Sequence, residues 1–242
     1  MPNVNVSVVI NLHREGRIAE ATIESVKKAI RFAAQYGIKS ELLYVLDRAD
    51  ELTKTTCEKF SEGAEILETS FGDLSKARNF GASTATGQYT TFIDGDDLWG
   101  HRWIYESFRE AEKLQGEDII IHPKMNLYFG RRLSPYYWVH PDMRRDKIEL
   151  VDIVASNRWT SLSFARTKTY RNHPYVANDI VNGFGYEDWL WHIETIRAGF
   201  LHIVPPQTIH FIRRKASGSL MEESNKRFVL PKISKVLGGA NL

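Results

Sequence analysis

Three aspartates close one apolar run of this chain: Tyr89-Thr90-Thr91-Phe92-Ile93 leads straight into Asp94-Gly95-Asp96-Asp97. Carboxylates crowded at a strand end make a poor core but supply the hard oxygen ligands that magnesium and manganese prefer. Such ions keep open positions that phosphate oxygens can fill. The spacing is not that of a calcium EF-hand loop, because Leu98 stands where a third oxygen ligand should fall. A plainer role stays open for Asp96 and Asp97, which could cap the helix starting near His101. A second pair of acids, Glu187 and Asp188, opens a helix whose apolar side carries Leu190, Ile193 and Ile196. Taken alone, that pair reads as partners of the helix dipole. The segment His210-Phe211-Ile212-Arg213-Arg214-Lys215-Ala216-Ser217-Gly218-Ser219 gathers cations and small hydroxyls on a glycine-containing loop, which by itself reads as a solvated basic loop. Trp159, Trp189 and Trp191 offer flat faces that suit a sugar ring or a core. Tyr136-Tyr137-Trp138 offers the same choice between packing and an acceptor groove.

The elements that must position these groups alternate in type. Val6 to Leu12 is a β-branched strand, and Ile18 to Tyr36 carries a helical apolar stripe through Ile18, Ala21, Thr22, Val26, Ala29 and Ala33. The pattern recurs as Leu42 to Leu46 with a helix near Glu51 to Phe60. It recurs again as Ala64 to Leu67 with a helix near Leu74 to Thr84, before the acid-ended strand. Alternation of this length predicts an α/β fold with right-handed crossovers and a mainly parallel, Rossmann-like sheet flanked by helices. Ligands of such sheets sit beyond the carboxyl ends of the strands, so Asp47 and Asp94 are expected to share a crevice. After a helix from His101 to Gln115, strands at Ile119 to His122, Met125 to Phe129, Tyr136 to Val139, Ile203-Val204 and Thr208 to Ile212 predict a mixed elaboration packed on the first sheet. A turn is expected at Gly130-Arg131-Arg132, a helix from about Tyr186 to Ala198, and a surface helix after Glu222.

Composition excludes several classes. With 242 residues, 43% of them hydrophobic, the chain can bury a sizeable core. Lys+Arg of 32 against Asp+Glu of 30 leaves a net charge of +2, which gives no footprint for nucleic acid. Cys57 is the single cysteine, which excludes an intramolecular disulfide and a cysteine zinc cage and fits a reducing compartment. The N-terminus has no basic segment followed by a long apolar one, and no run approaches the ~20 apolar residues of a membrane span. These features predict a soluble, cytoplasmic protein, with peripheral attachment to the inner face of a membrane left open.

No G-x-G-x-x-G and no G-x-x-x-x-G-K-[ST] occurs, so bound phosphates would have to be held by a metal and basic side chains. Four segments in order, from about Val6 to Ser219, resemble the family-two glycosyltransferases of the GT-A fold. They are Val6 to His13, Glu41 to Asp47, Leu74-Ser75-Lys76-Ala77-Arg78-Asn79-Phe80-Gly81-Ala82 running through Thr86-Gly87-Gln88-Tyr89 into Asp94-Gly95-Asp96-Asp97, and Gly185 to Trp191. The third matches the family's approach to its D-x-D motif and the fourth its E-D motif. Asn11 and His13 stand where the family more often has proline and tyrosine, and Leu46 replaces the first of two adjacent acids.

The resemblance implies a nucleotide-sugar-dependent, inverting transferase using Mn2+ or Mg2+. In it, residues 1–116 form the donor half, 117–221 the acceptor and catalytic half, and 222–242 a helical tail. It implies that Asn11, His13 and Asp47 meet the base, Asp94 the ribose, and Asp96 the metal, with His210 as a further ligand. Asp97 would support the acid loop or cap a helix, and Arg78 would lie near the diphosphate or hold the acid loop. Arg213, Arg214, Lys215 and Ser217 would close over the diphosphate. Asp188 would be the general base, with Glu187 orienting or binding the acceptor. The expected donor is a UDP-sugar, with a dTDP-sugar second. The expected acceptor is a hydroxyl of a glycan or lipid-linked molecule, as in bacterial cell-surface polysaccharide synthesis. A sugar nucleotidyltransferase and a non-catalytic glycan-binding module are the competing readings.

Overall fold

The computed structural model describes residues 4–130, 134–215 and 224–233. The first half follows the expected alternation: β1 (Val6–Leu12), α1 (Ile18–Ala34), β2 (Ser40–Asp47), α2 (Glu51–Lys59), β3 (Ala64–Thr69), α3 (Leu74–Thr84) and β4 (Tyr89–Asp94). Every residue of β1 is buried, as a central parallel strand covered on both faces must be. Its side chains alternate between two cores. Val6, Val8, Ile10 and Leu12 meet Ala19, Ile23 and Val26 of α1, whereas Val9 faces Ala77 and Ala82 of α3. The starts of α2 and α3 are set by Asp50 and Asp73, whose carboxylates accept the Thr53 and Lys76 amides at 2.9 and 3.0 Å. Gly81 lets α3 lie close on the sheet: a Cβ there would fall 2.7 Å from Val9 Cγ1. That approach brings Arg78, one turn earlier on α3, down to the level of the strand ends.

Next come β5 (Leu98–Trp99), α4 (Trp103–Lys113), β6 (Ile119–Ile121), β7 (Met125–Phe129), β8 (Tyr136–Val139) and α5 (Leu150–Ala155). They are followed by β9 (Phe164–Arg166), α6 (Thr167–Asn172), α7 (Glu187–Arg197), β10 (Leu201–Ile203) and β11 (Ile209–Arg213). The central sheet has seven strands in the order β10-β6-β9-β4-β1-β2-β3. β9 is antiparallel to β4 and β6, and the other pairings are parallel. The chain runs outward from β1 through β2 to β3 and returns to β4 on the other side of β1. The crevice of a doubly wound sheet opens at such a reversal, here between Asn11 and Asp94, which face each other in register.

The second half differs from expectation in one respect. Instead of only packing against the first sheet, it completes that sheet with β6, β9 and β10, while β5, β11, β7 and β8 form a separate four-stranded sheet. The tail does not form a continuous helix. Residues 224–226 are helical, Phe228 takes a left-handed φ of 53°, and Leu230 pairs with Phe184. A left-handed bulky residue stops the helical ladder, and the amide of Leu230 instead reaches the Gly183 carbonyl at 3.0 Å. Gly130 has a φ of 156°, while Arg131 and Arg132 of the expected turn lie outside the described residues. No helix among the described residues is long and apolar enough to cross a membrane.

Candidate active site

A cavity of about 440 Å³ opens at the carboxyl end of β4. Arg78, Asp94, Asp96, Asp97, Glu187, Asp188, His210, Arg213 and Arg214 all line it, although the chain carries them on four separate stretches. At its floor the buried Arg78 guanidinium donates from Nη1 to Glu187 Oε1 at 2.7 Å and from Nη2 to Asp94 Oδ1 at 3.1 Å. The Tyr175 ring lies 5.4 Å from the guanidinium carbon. Burial opposes the charge of Arg78, but Asp94 and Glu187, with Tyr175 and Asp188 behind them, more than offset it and raise the guanidinium pKa. Tyr186 adopts a left-handed conformation at φ 56° just before α7 and turns Glu187 and Asp188 into the cavity. Asp188 is pushed up to about 7 by burial and then by Glu187, against the pull of Arg78.

The acid loop is tied to β11. Asp97 Oδ1 accepts the Arg213 amide at 2.8 Å, and the Arg213 side chain donates to the Asp96 carbonyl at 3.1 Å. Neither aspartate caps the next helix, because the residue preceding α4 is Arg102 and no side chain caps it. The capping role left open by the sequence is therefore excluded. Lys215 Nζ lies 3.0 Å from Asp96 Oδ2. Burial first, then Asp97, raises Asp96 to about 6 in spite of that lysine. His210 approaches Asp97 Oδ2 at 3.1 Å without the alignment of a hydrogen bond, and neither of its buried ring nitrogens has a hydrogen-bond partner. Among the described residues no three His, Cys, Asp or Glu side chains converge on one metal position. The donor chemistry nevertheless fits a divalent cation completed by substrate oxygens. Asp96 is a carboxylate whose charge is under-compensated, and His210 is an imidazole with two unclaimed nitrogens in the same cavity.

Three residues expected at the donor base lie outside the cavity lining. The Asp47 carboxylate accepts from Thr69 Oγ1 at 3.1 Å and from the Gly72 and Asp73 amides at 3.0 and 3.1 Å, so it closes the loop between β3 and α3. His13 Nδ1 contacts the Asp47 carbonyl oxygen at 2.6 Å. Asn11 is buried with no partner for either amide atom, an orphaned polar group beside the crevice. Ser217 lies outside the described residues. Of the tryptophans, Trp191 is in the core, stacked on Tyr170 at 5.2 Å, whereas Trp138, Trp159 and Trp189 contribute to the cavity wall. Tyr136 and Tyr137 are exposed, and Tyr136 stacks on Tyr128 at 4.6 Å.

Sequence reasoning missed Asn157, which lines the cavity and donates to Asp188 Oδ2 at 3.3 Å. It also missed a buried block of four histidines behind Trp159: His122, His140, His192 and His202. His122 and His140 follow β6 and β8, His202 lies within β10 and His192 within α7, so no local spacing announces them. Burial holds all four imidazoles neutral, with His140 lowered to about 3. Their partners agree: His140 Nε2 accepts the Thr160 amide at 3.0 Å while Nδ1 faces the Pro123 carbonyl at 2.7 Å. His122 Nδ1 faces the Leu162 carbonyl at 3.0 Å and its Nε2 meets His202 Nδ1 at 2.9 Å.

A sequence profile described as glycosyl transferase family 2 matches residues 7–168, more than half of the chain. The chain belongs to this family. An uncharacterised glycosyltransferase of Rickettsia typhi is 23% identical over 145 residues, which cover 60% of this chain and 43% of that protein. A homologue in Rickettsia prowazekii matches to the same extent, so the chain spans less than half the length of these relatives. Among solved structures, residues 1–349 of S. aureus TarS in complex with UDP-GlcNAc superimpose with a TM-score of 0.68 at 15% identity, covering 90% of this chain and 61% of that one. The mannosyltransferase PcManGT from Pyrobaculum calidifontis, in complex with GDP-Man and Mn2+, gives 0.62 at 13% identity and covers 90% and 59%. The seven-stranded sheet and its helices are those of the GT-A fold seen in these solved structures.

Two consequences can be measured on this family 2 chain. Replacing Arg78 by Met would leave Asp94 and Glu187 facing each other without a cation, at a cost of ~3–5 kcal/mol in urea unfolding. A loss below ~1 kcal/mol would show that the bridge does not join the halves. The second consequence concerns acid. Imidazoles held neutral in the fold take up protons on unfolding once pH falls below ~6.5, so their contribution is complete above that pH and is lost as pH drops. Asp96 and Asp188 act in the opposite sense, since at pH 5 each keeps in the fold a proton that it releases on unfolding. Roughly four protons taken up against two released gives a net uptake of ~2 at pH 5, or ~2–3 kcal/mol of stability lost per pH unit. A flat unfolding free energy between pH 6 and 5 would mean that the imidazoles are charged in the folded protein.

Proposed function

We propose that the chain is a metal-assisted, inverting glycosyltransferase that moves a sugar from a nucleoside diphosphate to a hydroxyl of a glycan or lipid-linked acceptor. The observation that carries this is the Arg78 bridge. One guanidinium grips the acid that ends β4 and the acid that opens α7, and so sets Asp188 in the same cavity as Asp96. Residues 1–116 supply the donor side and residues 117–221 the acceptor side.

In this reading Asp188 takes the proton of the acceptor hydroxyl as its oxygen attacks the anomeric carbon from the face opposite the leaving diphosphate. A carboxylate pushed up to about 7 is half ionised near neutrality and basic enough to accept that proton, a match worth ~10²–10⁴-fold in rate. Arg78 holds Glu187 in place, and Glu187 orients Asp188 or the acceptor. A divalent cation, Mn2+ or Mg2+, would be held by Asp96, with His210 as a further ligand, and when bound it would neutralise charge on the diphosphate. Arg213, Arg214, Lys215 and Ser217 would shield the diphosphate from water, with Asp94 toward the ribose and Asn11, His13 and Asp47 toward the base. The unpartnered amide of Asn11 supports polar recognition there. UDP is favoured over dTDP as the nucleotide. TarS bound to UDP-GlcNAc is consistent with that order, and PcManGT bound to Mn2+ with the metal. A role in bacterial cell-surface polysaccharide synthesis, at the cytoplasmic face of the membrane, completes the proposal.

The test is thermal unfolding with UDP, dTDP and GDP, each with and without Mn2+. A ligand at ~100 times its dissociation constant adds ~2.7 kcal/mol of stability. The expected result is a Mn2+-dependent shift with UDP or dTDP that Asp96→Ala abolishes and Asp188→Asn preserves. Transfer by Asp188→Asn should be crippled, and the wild-type kcat/KM should rise with pH through an inflection near 7 as the base ionises. Absence of any nucleotide shift from folded protein would favour a non-catalytic module, and near-normal turnover by Asp188→Asn would remove that residue from its role.

A further inference from the structure

Asp188 does not stand alone on its helix. One turn further along α7, His192 lies on the same face, and Asn157, from the segment after α5, bridges the two. Asn157 Nδ2 is 3.3 Å from Asp188 Oδ2, and Asn157 Oδ1 is 3.0 Å from His192 Nδ1. The amide can point only this way. The backbone N–H of Trp159, which can only donate, approaches Asn157 Oδ1 at 3.5 Å, and the Asp188 carboxylate, in the ionised form that acts as base, can only accept. The Asn157 oxygen is thus an acceptor, and His192 must donate to it from Nδ1. The His192 ring is in turn walled in edge-on by His122 at 5.1 Å, His202 at 5.4 Å and Trp159 at 5.8 Å. It is 1% exposed, so it cannot swing out to present its other nitrogen.

We propose that Asn157 and His192 are positioning residues for the base: the buried, Nδ1-protonated His192 locks the Asn157 amide, which holds one carboxylate oxygen of Asp188 in place in the cavity. This rests on the reading of Asp188 as the base. Arg78, Glu187 and Asp94 set the charge around that carboxylate, whereas the Asn157–His192 pair adds direction without adding charge. Burial, with His202, His140 and Arg78 around the ring, keeps His192 neutral, so the lock survives across the working pH range.

Kinetics and spectroscopy together test it. Nucleoside diphosphate release would be followed with UDP-glucose, UDP-GlcNAc, dTDP-glucose and GDP-mannose, using water and free monosaccharides as acceptors. Asn157→Leu and His192→Leu should each lower kcat by ~10–100-fold, the scale of a lost orienting partner or a misplacement of about 1 Å, with donor KM unchanged. His192→Asn, whose amide nitrogen can take the place of Nδ1, should recover most of the loss. In an Asp188→Asn background, Asn157→Leu should cost nothing more. Wild-type protein labelled with ¹⁵N should show His192 protonated at Nδ1 and bare at Nε2, a readout that needs no turnover. Equal losses in His192→Leu and His192→Asn, an undiminished Asn157→Leu loss in the Asp188→Asn background, or an Nε2–H tautomer would each overturn the proposal. The two readings fail separately. A crippled Asp188→Asn beside an unaffected Asn157→Leu removes only the positioning pair, whereas an active Asp188→Asn removes the base.

Discussion

The structure depends on one buried cation placed between two carboxylates that the chain supplies 93 residues apart: Asp94 at the end of β4 and Glu187 at the start of α7. Taking Arg78 out of water is costly, and the cost is offset only because both acids and the Tyr175 ring close around it. Such a bridge contributes little net stability compared with apolar packing, yet leaving any one partner unpaired is expensive. Its value is therefore geometric. The end of β4 and the start of α7 cannot separate or slide without stranding a buried charge. α3 can deliver Arg78 to that point because Gly81 has no side chain to hold the helix off β1.

Around this cation the site keeps a layered electrostatic order. Beyond the end of β4 lie Asp97 and Asp96, the latter pushed by burial toward its protonated form, faced by Lys215, Arg213 and Arg214. At the start of α7 the Asp188 carboxyl is pushed up to about 7, under an aromatic wall of Trp138, Trp159 and Trp189. Behind that wall the four histidines are uncharged and each is hydrogen-bonded, His122 to His202 and the others to neighbouring side chains and backbone, so they fix the wall without contributing a field that would discharge the acids. An added positive charge there would pull the Asp188 carboxyl down and weaken it as a base.

Much of the first half was legible because its signals are local. β-branched runs and helical stripes each act within a few residues, and the elements from β1 to β4 fall where those patterns place them. The second half was less legible. β9 is three residues long and gains its place from hydrogen bonds to β4 and β6, partners that no short window contains. The role of Asp97 was ambiguous for a related reason, since a helix cap and an anchor for the amide of Arg213 use the same carboxylate and differ only in what the fold brings near it.

The sequence by itself determined the α/β alternation, the acid-ended strand, the acid pair that opens α7 and the kinship with a transferase family, all of them carried by residue types at fixed short spacing. Tertiary structure alone decided that Arg78 joins Asp94 to Glu187, that Asp47 closes a loop outside the cavity, and that Asn157 and His192 stand behind Asp188. The physical reason is range. Propensity and periodicity act along the chain over a turn or a strand, whereas burial, proton affinity and the choice of a hydrogen-bond partner are set by whichever distant segments the packed sheet brings within about 3 Å.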